Sequence, residues 1–284
     1  MIKYLLILVA VLLFIWILAG YLAAKFLTRT NQVTVRDIQS LEGRAVQHLF
    51  IKTEDGVTVS SWFVENSTEK AIILLSGIRV DKTRQLERAK FYLDKGYSVL
   101  MPDLRGTGKT QGDFISFGWQ ESKDLIACFE RLKTMGFTKI GANGQSLGAA
   151  TIVYATKASL DFDFIILESC YDNISNALKN RVRNFPAPHF LYKPATFFTA
   201  KIIDGAQESL VPDQIITQIE CPTLIMAGDT EFQIRTEETE KLYQNSGAKV
   251  KQLHFFKGGE HEDFYARFPT EFEEVVSGFL NKIP

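Results

Sequence analysis

The sequence predicts an α/β fold: a mostly parallel eight-stranded sheet with helices on both faces, preceded by one transmembrane helix. Three observations carry this. Eight short apolar runs alternate with stretches of helical periodicity, the pattern of βαβ units. One run leads through Gly144-Gln145-Ser146-Leu147-Gly148 straight into an apolar helical stretch. Finally, residues 4–24 carry no charged side chain.

That uncharged run comes first in the chain. Its 21 residues, at about 1.5 Å rise each, make a helix of roughly 31 Å, enough to cross a hydrocarbon core. A cleaved signal peptide has an apolar core of only about 7–15 residues. Residues 1–25 therefore read as an uncleaved anchor. The amino terminus and Lys3 stand on one side, and Lys25, Arg29 and Arg36 on the other. The positive-inside rule then leans toward a cytoplasmic C-terminal part. Cys128, Cys170 and Cys221, three cysteines that cannot all pair, lean the same way.

Residues 26–43 read as a polar stalk or lead-in. Residues 48–52 and 57–64 are β-branched and aromatic on either side of Glu54-Asp55-Gly56, a hairpin signal. Residues 71–75 are continuously apolar, as a strand buried on both faces requires. Leu86, Ala89 and Leu93 follow at near-helical spacing, and residues 97–101 form the next strand. Leu125, Ile126, Phe129 and Leu132 line one helix face. Residues 138–142 are a strand weakened by Gly141 and Ala142, and residues 149–158 a helix. Strands are expected at 164–167, 223–226 and 252–256. A last helix shows Phe268, Phe272, Val275, Val276 and Phe279. No Pro/Gly/Ser-rich linker divides residues 44–284, so they read as one domain.

Composition narrows the function classes. The 284 residues hold 32 Lys+Arg against 33 Asp+Glu, a net charge of −1, and 46 % are hydrophobic. Such a chain is not disordered, and it offers no support for a nucleic-acid partner. Four histidines without a Cys-x-x-Cys leave little material for a zinc site, so no metal is expected.

The chemistry starts at G-x-S-x-G, centred on Ser146. The flanking glycines remove Cβ atoms where strand and helix crowd each other, and the strained serine projects its Oγ clear of the sheet edge. The Leu147 N–H, at the positive end of the following helix, can hold an oxyanion. A nucleophilic serine needs a base, and the base an orienting acid. His261 suits the base, because it lies in a glycine-bearing loop just after the strand at 252–256. His48 sits inside the first hairpin, His254 inside a strand, and His189 in a proline-rich insert where a surface role is expected. The acid should follow the strand at 223–226, where Asp229 and Glu231 are both candidates. Either gives the chain order serine, acid, histidine.

These residues resemble the α/β-hydrolase superfamily. The likeness is to single-pass membrane-anchored bacterial hydrolases and to the BEM46-like branch, and it covers about residues 45–284. It includes Asp103-Leu104-Arg105-Gly106-Thr107-Gly108, then Gly112, Gly118, Glu121 and Asp124, which are mainly architectural in the family. The family's acid-loop spacing, glycine then two residues then aspartate, lands on Glu231 and leaves Asp229 as the alternative acid. Where the family commonly has His-Gly, this chain has Ser76-Gly77-Ile78. The resemblance implies a second oxyanion donor in the backbone there, at Ile78.

Gly106-Thr107-Gly108-Lys109-Thr110 ends like a phosphate-binding loop but lacks its first glycine, since position 103 is Asp103. About 50 residues between Leu167 and Pro222 fall outside the sheet pattern. They carry Tyr171, Phe185, Phe190, Tyr192, Phe197 and Phe198 and prolines 186, 188, 194 and 212. The family places a lid at this point, here about residues 170–220, and such aromatics either receive an apolar group or pack the lid onto the domain. The expected function is a serine hydrolase of esterase type that works through an acyl-enzyme without metal or organic cofactor. Its expected substrate is a small-molecule acyl ester or a lipid-like ester at the membrane. The alternatives are a thioesterase or peptidase of the same fold, and a catalytically inactive binding protein at the membrane. A haloalkane-type enzyme is disfavoured, because it needs aspartate where Ser146 stands.

Overall fold

Alternation of apolar strands with amphipathic helices winds the chain into one sheet covered on both faces. The structure, a computed structural model, describes residues 2–182, 188–204 and 209–283. Helix α1 (Ile2–Leu27) is followed by the short strands β1 (Asn31–Gln32) and β2 (Ser40–Leu41). The hairpin β3 (Arg44–Lys52) and β4 (Thr58–Val64) leads to β5 (Lys70–Leu75). Helix α2 (Leu86–Asp94) precedes β6 (Ser98–Pro102) and β7 (Thr107–Gly108), and α3 (Glu121–Thr134) precedes β8 (Lys139–Gln145). Helix α4 (Leu147–Ala155) precedes β9 (Phe164–Glu168). Helices α5 (Ile174–Val182), α6 (Lys193–Ile202) and α7 (Pro212–Ile215) belong to the insertion before β10 (Thr223–Gly228). Then come α8 (Thr236–Asn245), β11 (Lys251–Phe256), α9 (Phe264–Arg267) and α10 (Pro269–Leu280).

The sheet order is β11-β10-β9-β8-β5-β6-β4-β3-β2. Neighbours from β6 to β11 are parallel, whereas β4 runs antiparallel to both β6 and β3. The eight expected strands are there, and the two-residue β2 adds a ninth on the hairpin edge, antiparallel to β3. It carries no apolar run, which is why periodicity did not reveal it. Strand β8 also runs on through Asn143, Gly144 and Gln145, because β5 and β9 pair with it on both sides.

Strand periodicity sends alternate side chains to opposite faces. Ala71, Ile73 and Leu75 join one core, with Leu125, Phe129 and Leu132 of α3 and the whole apolar length of α4. Ile72 and Leu74 join the other, with Tyr92 of α2 and Phe272, Val276 and Phe279 of α10. Each such fully buried side chain contributes about 1.5–3 kcal/mol. The lead-in lies on the domain: β1 pairs with β7, the Ile115 N–H donates to Thr28 O at 2.8 Å, and Val35 is buried.

Candidate active site

Strand β8 ends at Gln145 and α4 begins at Leu147, so Ser146 alone makes the turn. It adopts φ 51° and ψ −107°, a strained conformation for a residue with a Cβ. The turn closes only because its flanks are glycines. A Cβ on Gly144 would stand 2.4 Å from the Gly148 carbonyl carbon, and one on Gly148 would stand 2.6 Å from Leu75 O. The Ser146 N–H donates to Glu168 O at 2.7 Å, which ties the turn to the end of β9.

Strands β10 and β11 are parallel with Gly228 opposite Phe256, so the loops after them leave the sheet at the same edge. Thr230 joins these loops, donating to Gly259 O from its N–H at 3.0 Å and from its hydroxyl at 2.7 Å. Gln145 Nε2 donates to Glu262 O at 2.7 Å and binds the histidine loop to the serine turn. Asp263 caps α9 immediately after it.

The result brings three of the predicted side chains together. His261 Nε2 lies 3.0 Å from Ser146 Oγ, and His261 Nδ1 lies 2.7 Å from Glu231 Oε2. The Glu231 carboxylate is fully buried. Its other oxygen accepts from Gly228 N–H at 2.8 Å and Ser169 Oγ at 2.6 Å. Asp229 is exposed, and its carboxylate instead accepts from Gly258 N–H at 2.6 Å.

Leu147 is the first residue of α4, so its N–H has no acceptor within the helix. Gly77 runs beside the serine: a Cβ built on it would lie 3.8 Å from Ser146 Cβ. The Ile78 N–H therefore belongs to backbone adjoining Ser146. Arg79 follows with a positive φ of 61°, and Gln85 Nε2 steadies the loop by donating to Ser76 Oγ at 3.1 Å.

Sequence reasoning missed the buried network beneath these loops. Arg88 is 2 % exposed. It donates to Glu168 Oε2 at 3.0 Å, Asp263 Oδ1 at 2.9 Å and Gln85 Oε1 at 2.9 Å. Asn143 Nδ2 donates to Glu168 Oε1 at 2.7 Å. Burial pushes the Glu168 carboxyl above its ordinary range, against the pull of Arg88. The available signal was Asn143, inside β8, and Glu168, the last residue of the otherwise apolar β9.

The remaining residues fall elsewhere. His48 Nε2 pairs with Ile38 O at 2.9 Å, and His254 Nε2 with Glu271 at 2.9 Å. Phe185, Pro186 and the side chain of His189 lie outside the described residues. The Lys109 N–H donates to Asp103 Oδ2 at 2.9 Å, so the phosphate-loop look-alike is filled by its own carboxylate. Arg105 joins Asp124 of α3 to Asp55 of the hairpin turn, an architectural role. In the insertion Tyr171 is buried and its hydroxyl donates to Phe117 O at 2.8 Å, whereas Phe190 and Phe197 are exposed.

Residues 84–282, which include Ser146, Glu231 and His261, match the prolyl oligopeptidase family. The uncharacterized protein YqkD of Bacillus subtilis is 28 % identical over 224 residues, 77 % of this chain and 73 % of its own. The Pyrococcus furiosus esterase Pf2001 superposes with a TM-score of 0.75 at 22 % identity, covering 90 % of this chain and 99 % of that one. The Exiguobacterium antarcticum esterase EaEST superposes at 0.63 with 15 % identity, covering 83 % and 100 %. These structural likenesses establish the α/β-hydrolase fold.

Proposed function

The chain belongs to the prolyl oligopeptidase family of α/β hydrolases, and from that premise we propose that it is a membrane-anchored serine hydrolase of carboxylic esters. The observation that carries the reading is the continuous relay from the Glu231 carboxylate through both His261 nitrogens to Ser146 Oγ, 2.7 and 3.0 Å. With Nδ1 protonated and donating to Glu231, Nε2 is free to take the Ser146 proton as Oγ attacks the ester carbonyl. The tetrahedral oxyanion accepts from the N–H groups of Leu147 and Ile78. Its collapse expels the alcohol, which takes the proton from His261 Nε2, and leaves an acyl-serine. Water then repeats the sequence and releases the acid.

The anchor reading rests on more than length. Arg79 donates to the carbonyls of Phe26 at 3.1 Å, Leu27 at 2.6 Å and Arg29 at 3.1 Å, and so caps the C-terminal end of α1. A segment bound this way is part of the folded domain, as an uncleaved anchor would be. The charge margin around it favours a cytoplasmic domain. An anchored enzyme with exposed lid aromatics suits small acyl or lipid-like esters.

The test is labelling of the full chain by a fluorophosphonate probe, followed by turnover of p-nitrophenyl esters of increasing chain length. Labelling is expected in the native chain and absent from Ser146→Ala. Equal labelling of both, or none, would reject the serine nucleophile. The family match favours a second reading, peptide hydrolysis. Faster turnover of a peptide p-nitroanilide than of any p-nitrophenyl ester would select it.

A further inference from the structure

Anchor and lid are packed against each other. Gly20 is buried in a helix that is otherwise largely exposed. A Cβ on it would lie 2.3 Å from Pro194 Cβ and 2.8 Å from the Ala195 nitrogen. One turn earlier the Trp16 indole N–H donates to Leu191 O at 3.1 Å. Beside Gly20, the Tyr21 ring meets Phe198 edge-on with centroids 5.4 Å apart. Residues 191–198 of the insertion thus lie along residues 16–21 of α1.

Helix length then sets the depth. Crossing a hydrocarbon core takes about 30 Å of helix. Residues 4–15, the uncharged length ahead of the lid contact, supply only about 18 Å at 1.5 Å per residue. The missing ~12 Å corresponds to about eight residues, and the next eight, 16–23, include Trp16, Gly20 and Tyr21, which touch the lid. With the end of α1 held to the domain by Arg79, the anchor cannot enter the bilayer far enough without the lid.

We propose that residues 190–198 are seated in the lipid leaflet beside α1, so that the lid's outer face meets acyl chains and substrate arrives from the leaflet. This rests on the anchor reading above. The surface chemistry fits that occupant. Phe190 is 55 %, Leu191 41 % and Phe197 57 % exposed, an apolar surface adjoining an apolar helix. A backbone carbonyl in hydrocarbon is costly unless paired, and Trp16 pairs that of Leu191. Pro194, in the first turn of α6, brings no N–H to a place where helix N–H groups lack partners. Lys193 and Lys201, at opposite ends of α6, have stems long enough to keep their charges at the interface.

The test uses the full chain in phosphatidylcholine vesicles, with an environment-sensitive fluorophore at Phe197→Cys or, separately, at Ile7→Cys in the anchor. Quenching by doxyl-labelled lipid and by aqueous iodide is compared at the two positions. The expected result is lipid quenching at 197 within twofold of that at 7, with both protected from iodide. Lipid quenching at 7 with iodide quenching at 197 puts the lid in water and overturns the proposal while the anchor stands. Protection of 197 from both quenchers means that protein, such as a second copy of the chain, covers the lid, and overturns it too. Absence of lipid quenching at both positions defeats the anchor reading and this inference with it.

Discussion

The Glu231 carboxylate is buried among neutral donors: the Gly228 N–H, the Ser169 hydroxyl and His261 Nδ1–H. One oxygen is spent on holding its own loop and the other on orienting the imidazole. Glu231→Gln keeps the shape but puts an amide where a carboxylate set the tautomer. We expect kcat for a p-nitrophenyl ester to fall about 10⁴-fold with the fold intact. Asp229→Asn, at an exposed side chain tied to Gly258, should change turnover by about twofold at most. The cysteines give a separate check on the nucleophile. Burial pushes Cys221 up to about 12, and Cys128 and Cys170 higher still. All three stay protonated thiols at pH 8, and only a thiolate attacks. Iodoacetamide at pH 8 should therefore leave ester turnover unchanged, and inactivation would point to a cysteine.

At the scale of elements, the site gathers the loops after β8, β10 and β11, and Arg88 of α2 lies in the buried network beneath them. Its guanidinium spans the end of β9 through Glu168 and the start of α9 through Asp263, just behind the His261 loop. A buried ion pair adds little net stability, but removing one partner strands the other charge. Arg88→Met leaves Glu168 buried without its cation, and we expect a loss of about 3–5 kcal/mol. The midpoint of urea unfolding measures it. A wild-type midpoint would mean that Glu168 is kept neutral by its burial and does not need the arginine.

The molecule as a whole is held together between α1 and the sheet domain. The end of α1 is capped by Arg79, its last turn is followed by the Thr28–Ile115 hydrogen bond, and its middle is covered by α6. Gly20 is the residue that permits the last of these contacts. Gly20→Leu forces several atoms into space occupied by Pro194, an overpacking worth about 1–3 kcal/mol. Trypsin should then cleave after Lys201 about tenfold faster in vesicles, since 1.4 kcal/mol of easier opening is a tenfold larger open population. Unchanged cleavage would show that the lid does not depend on α1.

The architecture was legible because it is written in local periods. Apolar runs and their alternation with helices follow from neighbouring residues alone, and the Gly144–Gly148 spacing marks a strand-to-helix turn because it falls between an apolar strand and an apolar helix. The same reasoning singled out Ser146 and His261, one by its turn and the other by its loop. It left two carboxylates in the acid loop, because Asp229 and Glu231 differ by two residues and one methylene. The family's spacing favours Glu231, and the packing of β10 beside β11 brings it to His261: its carboxylate is drawn inward to Gly228 and Ser169, and that of Asp229 faces water. The Arg88 network and the contact of α6 with α1 also belonged to the tertiary structure. Each joins residues far apart in sequence, and no local pattern records that a buried charge or a glycine will find its partner there.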